Sequence, residues 1–163
     1  MKRKALFLSL LLILLLIIPC LAWAWSGMVV GVTDGDTIKV MGAHNKQVKI
    51  CLYGIDCPEK GQAFGKKAKQ FTSDMVFGKI VEVDPVTVDR YGRTIALVYD
   101  TDGKSLNEEL IRAGLAWVYT RYCDWAICET WEGVEAEARE VKRGLWSDPH
   151  AIAPWEFRRK KRK

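Results

Sequence analysis

The stretch Ile50-Cys51-Leu52-Tyr53-Gly54-Ile55-Asp56-Cys57-Pro58-Glu59-Lys60 constrains this chain most, because an apolar run ends abruptly in two acids separated by a cysteine and a proline. The apolar part reads as a buried strand. Pro58 cannot donate to a sheet ladder and biases Cys57 toward extended backbone, so the strand stops with Asp56 and Glu59 at its open end. Two readings stay open on this stretch alone. A carboxylate pair on a rigid frame can hold a hard cation through oxygen, or divide metal binding from base work. Acids beside proline are also ordinary turn chemistry.

The N-terminus bears on where such chemistry would happen. Met1-Lys2-Arg3-Lys4, an apolar stretch from Ala5 to Ile18, Pro19 and the small-residue pattern Ala22-Trp23-Ala24 have the layout of a signal peptide cleaved after Ala24. The uncharged region is long enough to span a bilayer, but Pro19, Ser26 and Gly27 interrupt it. An uncleaved N-terminal membrane anchor and a lipid-modified Cys20 are the alternatives. The expected divisions are a signal peptide at 1–24, one domain at 25–149 and a basic tail at 150–163. Removing the first 24 of 163 residues leaves 139, enough for a single core. The product would be secreted or periplasmic and monomeric, and would meet a membrane only if the N-terminus stays attached.

Charge is unevenly spread. Of 25 Lys and Arg, three lie in the first four residues and six in the run Arg158 to Lys163, leaving 16 against 20 Asp and Glu in between. The body is therefore mildly acidic, and the tail reads either as a solvated end or as a holder for an anionic polymer. Cys51, Cys57, Cys123 and Cys128 remain after cleavage, and export permits disulfides. Only Cys123 with Cys128 is close enough in sequence to be favoured as a pair. With neither a CxxC pair nor an HExxH helix, zinc is not expected.

Met28 to Thr33 predicts a strand, Asp34-Gly35-Asp36-Thr37 a turn in which Gly35 takes a positive φ and Asp34 caps, and Ile38 to Val40 a second strand. Gln47 to Ile55 follows as a long strand. Gln62 to Val76 has helical spacing, Lys79 to Val88 alternates with Pro85 as an edge or bulge signal, and Arg93 to Tyr99 is a further strand. Ser105 with Glu108 marks an N-cap for a short helix to Ala113, and Trp131 to Arg143 predicts a third helix with Val134, Ala138, Val141 and Leu145 on its buried side. Strands in this order do not suit an alternating parallel fold. They predict an α+β, mainly β, domain: a five-stranded Greek-key barrel of the OB type with three helices.

Asp34-Gly35-Asp36-Thr37, Gly54-Ile55-Asp56-Cys57-Pro58-Glu59, Asp89-Arg90-Tyr91-Gly92-Arg93 and Gly144-Leu145-Trp146-Ser147, in this order, resemble the staphylococcal nuclease family of calcium-dependent nucleases. The resemblance covers residues 28–148 and implies an OB barrel with three helices. It implies Asp36 and Asp56 as carboxylate ligands of Ca²⁺, the main-chain carbonyl of Cys57 as a further ligand, and Asp34 behind them. Glu59 would activate the attacking water and Arg93 would bind the phosphate. One position departs from the family, which carries a second arginine where this chain has Cys51. Losing one such donor costs about 10²- to 10³-fold in rate. Lys49, two residues earlier on the same strand face, is the substitute cation, a point charge where a planar fork is wanted.

The expected function is an exported Ca²⁺-dependent endonuclease acting on DNA and RNA, single strands or frayed duplex, with little sequence preference. The alternative is a weakened or inactive OB module that binds nucleic acid through aromatics such as Tyr91, Tyr119 or Tyr122 and the basic tail. An extracellular structural or protein-interaction domain is a third reading. Three acids facing a polyanion argue against a pure binding groove, while Phe71, Trp117 and Trp146 fall on apolar faces as core.

Overall fold

Alternation between buried and solvated side chains sets the strands, and the computed structural model, which describes residues 24–161, closes five of them into a barrel. The strands are β1 (Trp25–Val32), β2 (Thr37–Met41), β3 (Gln47–Leu52), β4 (Ile55–Asp56), β5 (Ile80–Val88), β6 (Thr94–Tyr99) and β7 (Trp117–Val118). The barrel order is β1-β2-β3-β6-β5, with β5 pairing back onto β1 and β3 running parallel to β6. Val29, Ile38, Val40, Ile50, Val83, Ala96 and Val98 fill the interior with no exposed surface. Pro85 falls where the register of β5 against β6 shifts, as a residue without an N–H should. This is the expected OB-type α+β fold.

The described residues carry four α-helices, not three: α1 (Gly65–Val76), α2 (Leu106–Arg112), α3 (Ile127–Glu140) and α4 (Pro154–Lys161). Ser105 caps α2 by accepting from the Glu108 N–H at 3.3 Å. Buried Asn107 ties that helix to the barrel, donating to the Tyr53 carbonyl at 2.9 Å and accepting from the Val98 N–H at 3.1 Å. α3 starts four residues before the expected Trp131 and ends at Glu140, so Val141 lies outside the helix and is 56% exposed rather than on the buried face.

The long strand expected from Gln47 to Ile55 breaks at Tyr53-Gly54, where Gly54 has φ +70°. A Cβ there would meet Cys123 Sγ at 2.6 Å, so this close approach needs glycine. The break sends Asp56 off the barrel sheet to pair with Trp117 in the β4–β7 ribbon. A disulfide joins Cys123, in the loop before α3, to Cys128 in the first turn of that helix, whereas Cys51 and Cys57 carry free thiols.

Residues 150–163 were expected to form a basic tail, either a solvated end or a holder for an anionic polymer; the described part of it from Pro154 to Lys161 is α4, docked on the domain. Ala153 and Pro154 are buried, and the Trp155 ring stacks on Tyr119 at 4.7 Å with 11° between planes, a contact worth about 0.5–1.5 kcal/mol beyond burial. Gln62 Nε2 donates to the Ile152 carbonyl at 2.5 Å and pins the connection to α4. Among the described residues, no helix is long and apolar enough to cross a membrane. The predicted signal peptide, apart from Ala24, lies outside the described residues.

Candidate active site

The turn between β1 and β2 places Asp34 and Asp36 beside the end of β4. Gly35 is required there for a different reason from the one expected: its φ is not positive, but a Cβ would lie 2.7 Å from Cys57 Cβ and 2.8 Å from Ala68 Cβ. Thr72 Oγ1 of α1 donates to the Gly35 carbonyl at 2.6 Å and locks the turn against the helix. Asp34 does not cap the turn. Its Oδ1 is buried and finds no hydrogen-bond partner among the described residues.

Asp36 is held from two sides, by the Cys57 N–H donating to Oδ2 at 2.8 Å and by Thr37 Oγ1 donating to Oδ1 at 3.1 Å. Part of it reaches solvent, yet desolvation, with the charges of Asp34 and Asp56 behind it, pushes its carboxyl well above the usual range. Burial likewise raises Asp56, outweighing the Arg158 hydrogen bonds that pull it down. Acids so crowded hold their charge at a cost that a cation would relieve. Among the described residues no three His, Cys, Asp or Glu side chains converge as a complete metal cage. An ion here would take Asp36 and Asp56 together with main-chain oxygen and water, a mixed all-oxygen set that suits a hard cation such as Ca²⁺ and leaves coordination open for substrate.

Glu59 follows β4 on a tight loop in which its N–H donates to Gln62 Oε1 at 3.0 Å and its carbonyl accepts from the Gln62 N–H at 2.9 Å. Arg93, just before β6, donates through Nε to Asp89 Oδ2 at 2.7 Å. Asp89 Oδ1 also accepts from the Tyr91 and Arg93 N–H groups at 2.9 Å each, so one carboxylate shapes the turn and aims the guanidinium. Among the described residues neither Nη of Arg93 makes a hydrogen bond. Lys49, Tyr91 and Arg93 line one open cleft, which puts the lysine beside the arginine it was expected to assist. Cys51, paired with Thr37 and Ile95 on the neighbouring strands, feels the charges of both Asp36 and Arg93: burial, then the Asp36 charge, pushes its thiol up to about 12, so it is neutral.

Sequence reasoning missed Arg158. From α4 its Nη1 donates to Asp56 Oδ1 at 3.0 Å and to Glu59 Oε1 at 2.6 Å, while Nη2 donates to Asp56 Oδ2 at 2.7 Å. Asp56 is only 8% exposed in this pair. Lost within a run of six bases, the residue carried one signal: the aromatics Trp155 and Phe157 just before it, which a solvated tail has no use for. Acids and cations thus alternate along one rim of the barrel, with Arg93 close enough to Asp36 to feel its charge and Arg158 on Asp56 and Glu59.

An OB-type barrel with clustered carboxylates between basic groups on its rim is a protein built to handle a charged ligand. The chain belongs to the staphylococcal nuclease family: residues 49–148 match the family described as staphylococcal nuclease homologue. A protein named micrococcal nuclease from Shigella flexneri is 40% identical over 153 residues, spanning 88% of this chain and 87% of its own. An uncharacterized endonuclease of Escherichia coli O157:H7 is 43% identical over 143 residues, 88% of this chain and 91% of its own. An uncharacterized endonuclease of Haemophilus influenzae is 38% identical over 162 residues, 99% of this chain and 88% of its own.

Proposed function

We propose that this protein is an exported Ca²⁺-dependent endonuclease that hydrolyses phosphodiester bonds of DNA and RNA with little sequence preference. The observation that carries the reading is the crowding of Asp34, Asp36 and Asp56, with the Asp36 and Asp56 carboxyls raised by burial, beside the cleft of Lys49, Tyr91 and Arg93. Asp36, Asp56 and the Cys57 carbonyl would hold the ion, with Asp34 behind them. Ca²⁺, when bound, supplies positive charge against which a phosphoryl oxygen is polarised.

The remaining work falls to the chain. Arg93 and Lys49 bind the phosphate, and Tyr91, 70% exposed, offers a flat face to the neighbouring nucleotide. Glu59 takes the proton of the attacking water through the carboxylate oxygen that Arg158 does not occupy. As the new P–O bond forms and the old one breaks, the departing oxygen carries off the electron pair, and Arg93 stabilises its charge until a solvent proton reaches it. None of these groups addresses a base, which is the physical reason for little sequence preference. Export is supported by the leader pattern of residues 1–24 and by the disulfide, which persists in oxidising surroundings.

A second reading, a binding module without catalysis, is favoured only by the neutral Cys51 in the second arginine's place. Incubating the chain lacking residues 1–24 with plasmid and single-stranded DNA or RNA, in Ca²⁺ and then in EGTA, separates the two. Cleavage abolished by EGTA is the expected result; retention of uncut strands would replace the nuclease with the binder.

A further inference from the structure

We propose that Arg158 is the second phosphate-binding guanidinium of the site, delivered by α4 in place of a side chain on β3. The proposal rests on the nuclease reading above and extends it to a residue beyond 49–148, the part of the chain that matches the family.

Three observations carry it. First, the position is built: α4 is docked through buried Ala153 and Pro154, the Trp155–Tyr119 stack and the Gln62 hydrogen bond, and of the four bases Arg158, Arg159, Lys160 and Lys161 only Arg158 is not exposed. Second, its guanidinium lies within hydrogen-bond distance of Asp56 and Glu59, the acids assigned to the ion and the water, so the bound phosphate must come within its reach. Glu59, Phe157 and Arg158 also line an open cleft on this flank, with Lys60 and Lys161 adding positive charge at its edge. Third, charge demands it. Arg93 is paired with Asp89 and Lys49 lies in the cleft beside Arg93, so among the described residues Arg158 is the cation hydrogen-bonded to Asp56 and Glu59, and without it negative charge on this flank would repel a phosphodiester. Cys51, neutral, contributes nothing to this balance.

Arg158 meets Asp56 with both terminal nitrogens, so it shares that carboxylate with any ion bound there. Freed of Asp56, Nη2 becomes a donor for a phosphate oxygen while Nη1 keeps Glu59 in place, a division that a planar fork can make and an ammonium cannot. The opposing account is that α4 is a plug whose arginine merely blocks the acids. The two predict opposite signs.

The experiment uses the chain lacking residues 1–24 and its variants Arg158→Ala, Arg158→Lys, Trp155→Ala, Arg159→Ala and Cys51→Arg with Arg158→Ala. Cleavage of single-stranded DNA is measured at saturating Ca²⁺, Ca²⁺ affinity by calorimetry, and binding of a short phosphorothioate oligonucleotide in Ca²⁺ by fluorescence anisotropy. Arg158→Ala should lower kcat by about 10²- to 10³-fold and weaken oligonucleotide binding at least tenfold, while Ca²⁺ binds more tightly. Arg158→Lys should recover only a small part, Trp155→Ala should follow Arg158→Ala by undocking the helix, and Arg159→Ala should change kcat less than threefold. Adding Cys51→Arg to Arg158→Ala should restore at least tenfold. Cleavage by Arg158→Ala as fast as the parent, or faster, overturns the proposal in favour of the plug. Should the parent itself not cut in Ca²⁺, the nuclease reading falls. Oligonucleotide binding then decides alone: unchanged affinity in Arg158→Ala overturns the role of Arg158, and a tenfold loss sustains it.

Discussion

At the scale of single residues, the roles proposed for Glu59 as proton acceptor and Arg93 as charge stabiliser need different partners, and the two side chains have different ones. Glu59 is 37% exposed and tied down at its backbone, while Arg93 is aimed by Asp89. Glu59→Gln keeps the volume and removes the negative charge. It should cut the rate by about 10²- to 10⁴-fold, the usual worth of a general base, while Ca²⁺ affinity falls far less. Equal rates for parent and variant between pH 7 and 10 would take the base role from Glu59. Cys51 is the counterpart case. With Arg158 already on the acids, Cys51→Arg by itself should change kcat by less than about tenfold, since a second guanidinium is in place; a gain near 10²-fold would mean that the site still lacked one.

At the scale of elements, function depends on where β3 stops. The break at Tyr53-Gly54 takes Asp56 out of the barrel ladder and into the pairing with β7, and the backbone can make that turn only without a Cβ at position 54. Gly54→Ala combines φ +70° with a clash against Cys123 and Trp131, so it should destabilise by well over about 1 kcal/mol, and activity should fall further than stability because Asp56 moves with the turn. Chemical denaturation alongside a cleavage assay checks both parts. A variant as stable as the parent would show that the turn is not held as described. α4 obeys the same logic from the other end of the chain: its docking is aromatic, and it brings one side chain, Arg158, to Asp56 and Glu59.

For the molecule as a whole, the acids set a balance between pH, metal and stability. Desolvation, then Asp34 and Asp56, raises the Asp36 carboxyl, and burial raises Asp56. A carboxyl whose folded pKa exceeds the unfolded value of about 3.9 favours the native state below that value, and the contribution is lost as pH rises through the folded pKa. The metal-free protein should therefore forgo this contribution at neutral pH, and Asp36→Asn should raise its Tm at pH 7 while leaving it nearly unchanged near pH 4. If Ca²⁺ is held by the deprotonated acids as proposed, it should stabilise the parent at pH 7 by about 2.7 kcal/mol at a hundredfold excess over Kd, and progressively less on acidification. Thermal unfolding with and without Ca²⁺ at the two pH values measures this. A Ca²⁺-induced rise in Tm that persists in Asp36→Asn would remove Asp36 from the ion site.

The sequence by itself determined the barrel, because alternation of period two and turn residues are local signals. It determined the acids at the strand ends for a similar reason, since Pro58 and the Asp34–Thr37 turn mark those ends within a few residues. The resemblance of four short motifs supplied the chemistry proposed for them. Tertiary structure alone decided three matters. Gly35 proved to serve a close approach to Cys57 and Ala68 rather than a positive φ, because the neighbours come from elements 22 and 33 residues away. Asp34 proved a partly buried acid whose Oδ1 has no hydrogen-bond partner among the described residues, rather than a cap, since burial is set by what packs over a turn and not by the turn itself. Arg158 looked like one more charge in a polar run, and only docking of α4 on Tyr119 and Gln62 brings it to Asp56, 102 residues away in sequence, a long-range contact with no periodicity to announce it.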